Sequence, residues 1–194
     1  MKRLLLALPL ALAGTLLVST PAQADDRRCR GSIGAVHVDG NVIVPQGAKC
    51  VLSGTRIDGN VLVRGRARLE ARGVQVNGNI QAANHRNMVV VPRKVNARVV
   101  RSRIGGDIQL TSGRWGHVAR SVINGNLQVK QNNGRQVARG NVIDGDLQAF
   151  SNRNGFRIRN NRIDGNLQCK SNNPRPVGAG NRVEGDKEGQ CRRL

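Results

Sequence analysis

Aromatic side chains are scarce in this 194-residue chain, which contains no tyrosine, one tryptophan and two phenylalanines. Proteins that bind single-stranded nucleic acid stack its bases on aromatic side chains, and many sugar-binding sites use an aromatic platform. The composition therefore argues against sequence-specific nucleic-acid binding and against an aromatic sugar platform. We expect Trp115, in the stretch TSGRWGHV, to pack into the core or a corner in preference to forming a surface contact.

Long apolar runs are absent beyond the first 24 residues. Lys2 and Arg3 precede an apolar run from Leu4 to Val18, and the small-residue ending Ala22-Gln23-Ala24 follows it. This pattern is typical of a secretory signal peptide. We predict that residues 1–24 are removed and that residues 25–194 form one domain without a transmembrane segment. The expected location is secreted or periplasmic.

A glycine recurs beside asparagine, aspartate or glutamate at nearly constant intervals. The intervals are 19, 19, 28, 19, 20, 20 and 20 residues, and the glycines are Gly40, Gly59, Gly78, Gly106, Gly125, Gly145, Gly165 and Gly185. Apolar residues alternate between these glycines, as at Val74 and Val76, which indicates strands. The neighbouring Asn or Asp suggests a turn with positive φ. The sequence predicts an all-β, single-domain, right-handed parallel β-helix of about eight coils, with 19–20 residues per coil.

Stacking the coils at roughly 4.8 Å places like residues above one another. One column is apolar and is predicted to face inward: Val61, Ile80, Ile108, Leu127, Leu147 and Leu167. Two amide columns are predicted to hydrogen-bond along the stack: Gln81, Gln109, Gln128, Gln148 and Gln168, then Asn141, Asn161 and Asn181. The right-handed sense is favoured because left-handed hexapeptide helices require intervals in multiples of six.

The stretch VPQGAKCVLSGTRIDGNVLVRGRARLEARGVQVNGNIQA has GNV and GNI turns separated by QGA-like corners. In these turns it resembles the bactofilin-like polymer-forming solenoids. The whole mature chain also resembles a group of secreted bacterial parallel β-helix proteins that end in GNLQCKSNNPRPVGAGNRVEGDKEGQC. Bactofilins are cytosolic and polymerise through bare ends, whereas this chain has a predicted signal peptide and cysteines near its ends. We therefore expect a monomer or small oligomer.

The four cysteines lie near the two ends of the predicted stack, as Cys29, Cys50, Cys169 and Cys191. About five and a half coils, or roughly 25 Å, separate Cys50 from Cys169, which is too far for a disulfide. The sequence therefore predicts the disulfides Cys29–Cys50 and Cys169–Cys191. Each pair is one coil plus two residues apart, a diagonal of roughly 7 to 8 Å in a regular sheet. At least one terminal coil must therefore be irregular.

Most of the 12 acidic residues flank the recurring glycines, which explains them as turn residues. Parallel β-helices include polysaccharide lyases and hydrolases, and such enzymes need clustered carboxylates for calcium or for acid and base catalysis. The histidines His37, His85 and His117 lie far apart in the register, and no nucleophile has a plausible partner nearby. We predict a protein that is not an enzyme and needs no cofactor. A polysaccharide-active lyase or hydrolase is the alternative.

One set of carboxylates stacks in successive coils, namely Asp144, Asp164 and Glu184. Like charges at this spacing repel unless a cation lies between them. The three residues are therefore weak calcium candidates, although the neighbouring Arg162 and Arg182 could serve instead.

Positive charge dominates the chain, because 32 lysines and arginines face 12 acidic residues for a net charge of +20. Such a field attracts linear polyanions, and guanidinium groups suit phosphate and carboxylate. The candidate polyanion-binding residues are Arg64, Arg66, Arg68, Arg72, Arg93, Lys94, Arg98, Arg101 and Arg103. Alternation with Ala67 and Leu69 should point Arg64, Arg66 and Arg68 outward together.

The candidates from Arg93 onward fall in a longer coil at about 83–103. Pro92 cannot donate to a central strand ladder, so the extra residues are expected to bulge there. Such a loop is a common location for function, and a neutral insertion is the other interpretation. The sequence thus favours a secreted solenoid that binds anionic polysaccharide, lipopolysaccharide or another envelope polyanion. A purely structural scaffold is the second interpretation.

The processing site gives a direct test of the sequence analysis. Expression of the full chain with export should yield a protein that begins at Asp25, because the signal peptide is cleaved after Ala24. Intact-mass measurement and N-terminal sequencing of the exported protein check this. Recovery of an exported chain that still carries residues 1–24 would contradict the prediction.

Overall fold

The chain consists of short strands separated by tight turns. A computed structural model describes residues 26–95 and 98–194, so the predicted signal peptide lies outside the described residues. The strands, in chain order, are β1 (Arg27–Arg28), β2 (Gly31–Ile33), β3 (His37–Val38), β4 (Val42–Val44), β5 (Lys49–Ser53), β6 (Arg56–Ile57), β7 (Val61–Val63), β8 (Arg68–Arg72), β9 (Gln75–Val76), β10 (Ile80–Ala83), β11 (Asn87–Val91), β12 (Arg93–Val95), β13 (Arg98–Val100), β14 (Arg103–Ile104), β15 (Ile108–Thr111), β16 (Trp115–Ala119), β17 (Val122–Ile123), β18 (Leu127–Lys130), β19 (Gln136–Arg139), β20 (Val142–Ile143), β21 (Leu147–Phe150), β22 (Phe156–Arg159), β23 (Arg162–Ile163), β24 (Leu167–Lys170), β25 (Val177–Ala179), β26 (Arg182–Val183) and β27 (Lys187–Gly189).

Three parallel sheets run along the stack, and each coil contributes one strand to each sheet. Sheet A contains β1, β4, β7, β10, β15, β18, β21, β24 and β27. Sheet B contains β2, β5, β8, β11, β16, β19, β22 and β25, and sheet C contains β3, β6, β9, β14, β17, β20, β23 and β26. The predicted all-β parallel solenoid of about eight coils is confirmed. The right-handed sense of the coil stays a prediction.

The core is a narrow column of branched aliphatic side chains enclosed by the three sheets. The predicted inward column is in register, because Val61 pairs with Ile80, Ile80 with Ile108, and the series continues through Leu127 and Leu147 to Leu167. Each member of this column is fully buried. Burial of such a side chain contributes on the order of 1.5 to 3 kcal/mol, so the repeated core is the main source of stability.

Buried asparagines lock the coils to one another at the corners. The Oδ1 atom of Asn161 accepts from the backbone N–H and the Nδ2 of Asn141, and Asn181 does the same for Asn161. This is the predicted asparagine column. A second buried ladder runs through Asn132, Asn152 and Asn172 at the corner between sheets A and B. The predicted glutamine column is in register on the outer face of sheet A and is half-buried except at Gln81, which is exposed. Gln148 to Gln168 is its one side-chain bond between neighbouring glutamines among the described residues.

The recurring glycine has a different cause from the predicted one. None of these glycines has positive φ, which occurs instead at corner glycines such as Gly54 and Gly73. A Cβ added at Gly59 would lie 2.8 Å from the carbonyl oxygen of Gly40 and 2.6 Å from Asn41 Oδ1. The predicted positive φ is therefore wrong, and glycine is required because consecutive coils approach too closely for a side chain.

Disulfides staple both ends of the stack as predicted. Cys29 bonds to Cys50 with a Cα separation of 5.6 Å, and Cys169 bonds to Cys191 with a separation of 5.3 Å. Cys29 lies between β1 and β2, and Cys191 lies in a turn after β27. Because neither residue is part of a strand, the backbone brings each pair closer than a regular diagonal would. The predicted irregular coil is thus present at both ends.

The extra residues of the long coil form a β-hairpin. Strands β12 and β13 pair antiparallel, with Arg93 opposite Val100, and they project between β11 of sheet B and β14 of sheet C. Coil-to-coil pairing resumes at once, since Arg103 pairs with Gln75 and Val122. The bulge expected after Pro92 is therefore a pair of antiparallel strands that leaves the stack intact.

The buried asparagine ladder should contribute more to stability than the half-buried glutamine column. We expect Asn152→Ala to lower the free energy of unfolding by about 3 kcal/mol, because it leaves a buried N–H of Asn132 and the carbonyl of Val129 without partners. The half-buried control Gln148→Ala should cost less than about 1 kcal/mol. Guanidinium unfolding followed by circular dichroism checks both, and equal losses would contradict the assignment.

Candidate polyanion-binding surface

The three sheets present different chemistry to solvent. Sheet A presents the glutamine column together with five cations, Arg27, Arg28, Lys130, Lys170 and Lys187. The strands of sheet C contain Arg56, Arg103, Arg162 and Arg182, and carboxylates such as Asp58, Asp164 and Glu184 lie in the turns directly after them. The strands of sheet B contain one carboxylate, Glu70. The same strands contain six exposed cations: Lys49, Arg68, Arg72, Arg139, Arg157 and Arg159. Cations occur on all three sheets, but on sheet B only Glu70 offsets them, because the other acidic residues lie within or beside the strands of sheets A and C.

Strand alternation explains why these cations are exposed. In β22, Phe156 and Ile158 point into the core while Arg157 and Arg159 point to solvent. Register then places Arg159 directly beside Arg139 of the preceding coil, at the interstrand distance of about 4.8 Å. Since no carboxylate of sheet B lies near this pair, both guanidinium groups are available to an external anion.

The first predicted group of cations lies on one coil, at a corner and on sheet B. Arg64 and Arg66 lie in the turn between β7 and β8, where Arg66 has φ of 59°. Arg68 and Arg72 lie at the ends of β8, and all four side chains are exposed. Arg72 is paired, because its guanidinium donates to Glu70 Oε1. The other three point outward, as the alternation predicted.

The second predicted group meets at the hairpin. Arg93, Arg101 and Arg103 line a cleft of about 280 Å³ together with Arg56, and no carboxylate lines it. The Arg93 guanidinium lies against Gly54, so the hairpin folds back over the corner between sheets B and C. Sequence analysis missed Arg56 because 37 residues separate it from Arg93. Lys94 and Arg98 belong to β12 and β13, and their side chains lie outside the described parts.

Trp115 departs from the expected position. It begins β16 on sheet B, and 53 % of its surface is exposed, whereas Phe156 is buried in the core. The expectation that Trp115 packs into the core or a corner is therefore wrong. Because alternation places Gly116 and Val118 inward, the indole must point to solvent. Asn87, Val89, Val137, His117 and Arg135 surround it in a shallow groove of about 260 Å³.

Two of the three weak calcium candidates, Asp164 and Glu184, are bound by an arginine. Arg162 donates from Nε to Asp164 Oδ1 at 3.1 Å and from Nη2 to Glu184 Oε1 at 2.7 Å. The hydrogen bond and charge of Asp164, then the charges of Glu184 and Asp144, raise the pKa of Arg162. The repulsion within this exposed column is thus relieved by a cation of the protein itself, which supplies no argument for calcium.

An exposed cluster at the start of sheet C was not foreseen. His37 Nε2 lies 2.9 Å from Asp58 Oδ2, and His37 Nδ1 lies 3.4 Å from Asp39 Oδ1. Within residues 26–95 and 98–194 this is the one group of three such side chains close enough to share a metal ion. All three are exposed, and their interactions with one another already account for the cluster. The signal in the sequence was the spacing of one coil plus two residues between His37 and Asp58.

Other carboxylates serve as structural acceptors. Asp107 Oδ1 accepts the backbone N–H of Asn126 at 2.7 Å, and Asp146 Oδ1 accepts that of Asn166 at 2.7 Å. Asn60 and Asn79 hold the same position in earlier coils and make the same bond. Either Asn or Asp can occupy this position, because each supplies the one oxygen acceptor that every coil needs.

His85 is buried at the corner where the coil geometry changes. Its ring fills the space above Gly113, at which a Cβ would collide with the imidazole. Neither ring nitrogen has a hydrogen-bond partner. Burial lowers the pKa of His85, and the nearby backbone of Ala82 and Trp115 opposes this shift only in part. His85 therefore acts as a neutral plug of the core.

Comparison of the chain with protein-family models, with curated proteins and with solved structures found no match. The resemblance to bactofilin-like solenoids therefore stays a prediction that rests on the turn motifs. No helix among the described residues has the length and hydrophobicity needed to cross a bilayer.

Acidification should destabilise the protein through His85. Because its pKa in the folded state lies below the ordinary value of 6.5, its contribution to stability is present above that value and is lost as the pH falls through the folded pKa. We expect the free energy of unfolding to decrease from pH 7.5 to pH 5, and His85→Asn to flatten this dependence. Guanidinium unfolding across this range checks it, and an unchanged slope in the variant would refute the assignment.

Proposed function

We propose that this protein is a non-enzymatic, secreted or periplasmic solenoid that binds a linear anionic polymer along sheet B. Candidate polymers are the anionic polysaccharides, lipopolysaccharides and other polyanions of the cell envelope or extracellular space. The observation that carries the proposal is the charge of sheet B, whose strands bear six exposed cations and one carboxylate. A purely structural scaffold does not require a face whose cations are offset by so few acidic residues.

The geometry of the sheet suits a linear ligand. Parallel strands repeat at about 4.8 Å, so equivalent side chains form a straight row along the stack. Lys49 pairs with Arg68 in one such row, and Arg139 pairs with Arg159 in another. Guanidinium groups bind carboxylate and phosphate in fixed geometry. A polymer with regularly spaced anions can therefore contact several coils at once.

The arginine cleft extends this surface around the corner. Arg93, Arg101 and Arg103 lie beside Arg56 just beyond the end of sheet B. Among the described lining residues no acid competes for these groups, so the cleft can accept a side branch or the end of an anionic chain. On this proposal the hairpin takes part in binding and is not a neutral insertion.

The carboxylates support a role other than catalysis. Asp107 and Asp146 accept backbone hydrogen bonds between coils, and Arg162 binds Asp164 and Glu184. A lyase or hydrolase needs carboxylates that are free to exchange protons or to hold a metal at the substrate. The proposal therefore favours binding over the polysaccharide-active alternative.

The disulfides support the proposed location. Stable disulfides are typical of proteins outside the reducing cytosol, and this chain has two, with no free cysteine among the described residues. Stapled ends also fit a monomer or small oligomer better than a filament, because fraying of terminal strands exposes edges that pair with other chains. The relation to bactofilin-like solenoids would then be one of fold without polymerisation.

Two double variants with equal charge test the proposal. Arg139→Gln with Arg159→Gln removes two cations from sheet B, and Lys170→Gln with Arg182→Gln removes two from sheets A and C. We expect the first pair to weaken binding to polygalacturonate about fivefold to tenfold, because each lost contact with a charged group is worth roughly 0.5 kcal/mol. The second pair should change the affinity less than twofold.

Binding isotherms at several salt concentrations provide the measurement. The sheet B variant should also show a shallower dependence of affinity on salt, since fewer counterions are released on binding. Equal weakening in both variants would mean that net charge alone attracts the polymer. The proposed surface would also be wrong if polygalacturonate, lipopolysaccharide and polyphosphate all fail to bind at low salt.

A further inference from the structure

The centre of sheet B carries no cation within its strands. The outward residues of β11 are Asn87, Val89 and Val91, and the exposed residues of β16 are Trp115 and His117. Cations lie on both sides, with Lys49, Arg68 and Arg72 toward the N-terminal end and Arg139, Arg157 and Arg159 toward the C-terminal end. The basic face is therefore interrupted by a patch that is partly apolar.

The indole of Trp115 is the main feature of this patch. It is the single tryptophan of the chain and is 53 % exposed. Despite the many arginines nearby, no cation of the described residues stacks on its ring, whereas Lys130 lies over Phe150 on sheet A. Val89 and Val137 line the groove beside the indole and extend its apolar surface, and apolar patches rimmed by polar residues mark contact sites. One face of the indole is available to a ligand.

Polar side chains line the same groove as the indole. Asn87 lies beside Trp115 in the register, and Arg135 precedes Gln136, which pairs with Gly116. His117 lies two residues along the same strand, on the same face. Burial and then the charge of Arg139 lower the pKa of His117, so its neutral ring offers one donor and one acceptor. An amide, an imidazole and a guanidinium thus frame one aromatic face.

We propose that the Trp115 groove is the sugar subsite of an acidic polysaccharide, an inference that rests on the proposed polyanion-binding function. It replaces the expectation from composition that the chain lacks an aromatic sugar platform, because the exposed indole supplies one. A pyranose ring packs its C–H face on the indole, where apolar contact and weak C–H to π attraction stabilise it. Hydroxyl groups of that sugar bond to Asn87 and His117. A carboxylate on the same or an adjacent sugar binds Arg135, and anions farther along the chain bind the flanking cations.

The single aromatic platform favours polysaccharide over nucleic acid. Single strands of nucleic acid are held by several aromatic side chains on which successive bases stack. On the described part of sheet B, Trp115 is the one exposed aromatic residue, because Phe156 of this sheet is buried. A polysaccharide needs one stacked ring per subsite, and charged groups on both sides then hold the rest of the chain. The recognised class is therefore a uronic-acid polymer.

Intrinsic fluorescence reports this site directly, because the chain has one tryptophan. We would titrate the full chain, with both disulfides formed, with galacturonate oligosaccharides, with neutral dextran oligosaccharides, and with polyphosphate and oligo-deoxythymidine. Galacturonate oligosaccharides should shift the emission to shorter wavelength and saturate. Dextran oligosaccharides should leave the emission unchanged at the same concentrations, and polyphosphate should bind without the shift. An equal shift with oligo-deoxythymidine would overturn the assignment to polysaccharide.

Variants at the platform complete the test. Trp115→Ala should weaken galacturonate binding, measured by calorimetry, about fivefold to tenfold, and Trp115→Phe should recover part of the affinity. The control Val177→Ala changes another exposed apolar residue of sheet B, 56 % exposed in the last coil, and should bind as wild type. Because Trp115 is exposed, circular dichroism melting should show both alanine variants folded.

The two proposals fail in different ways. Galacturonate could bind in a salt-dependent manner, leave the emission of the wild-type protein unchanged, and bind Trp115→Ala as tightly as wild type. In that case the sugar subsite is wrong and the basic face stands. If none of the anionic polymers binds, the proposed function itself is wrong. A neutral oligosaccharide that binds as tightly as galacturonate and shifts the emission equally would contradict the acidic class.

Discussion

The close parallel contact between consecutive coils is the constraint on which the rest of the molecule depends. Each coil offers one side-chain oxygen, such as Asn60 Oδ1, to the backbone N–H of the next coil, here Asn79. Glycine at the adjacent position allows the carbonyl of one coil to approach the Cα of the next. A shift of one residue would lose this bond and turn the apolar column outward. Register, core and corners are therefore fixed together.

The same register arranges the outward side chains in rows, and this gives each face its chemistry. Sheet A presents amides and cations, and sheet C presents arginines beside turn carboxylates, two of which bind Arg162. Sheet B presents cations on both sides of Trp115 with Glu70 as the one acid of its strands. Because the scaffold is rigid, these groups need no reorganisation to meet a straight polymer. The hairpin adds Arg93 to the corner without disturbing the stack, since strand pairing resumes at Arg103.

Much of the fold could be predicted from the sequence, because every coil repeats the same pattern of turn and apolar residues and so indicates the same geometry. The inward column from Val61 to Leu167 and the disulfide partners of Cys29 and Cys169 followed from spacing alone. The reason for the recurring glycine could not be predicted from spacing, because close approach of two coils and positive φ both favour glycine. The burial of Trp115 was also predicted wrongly, because the alternation of residues in one strand does not show at which residue the strand begins.

The sequence alone determined the coil length, the strands, the stapled ends and the excess of positive charge, because these depend on local pattern and on spacing along the chain. Only the tertiary structure decided which cations share a face, that Arg56 meets Arg93 and Arg101, and that Trp115 lies on a surface between two basic patches. These arrangements join residues whole coils apart, and they depend on corner geometry that no single repeat encodes.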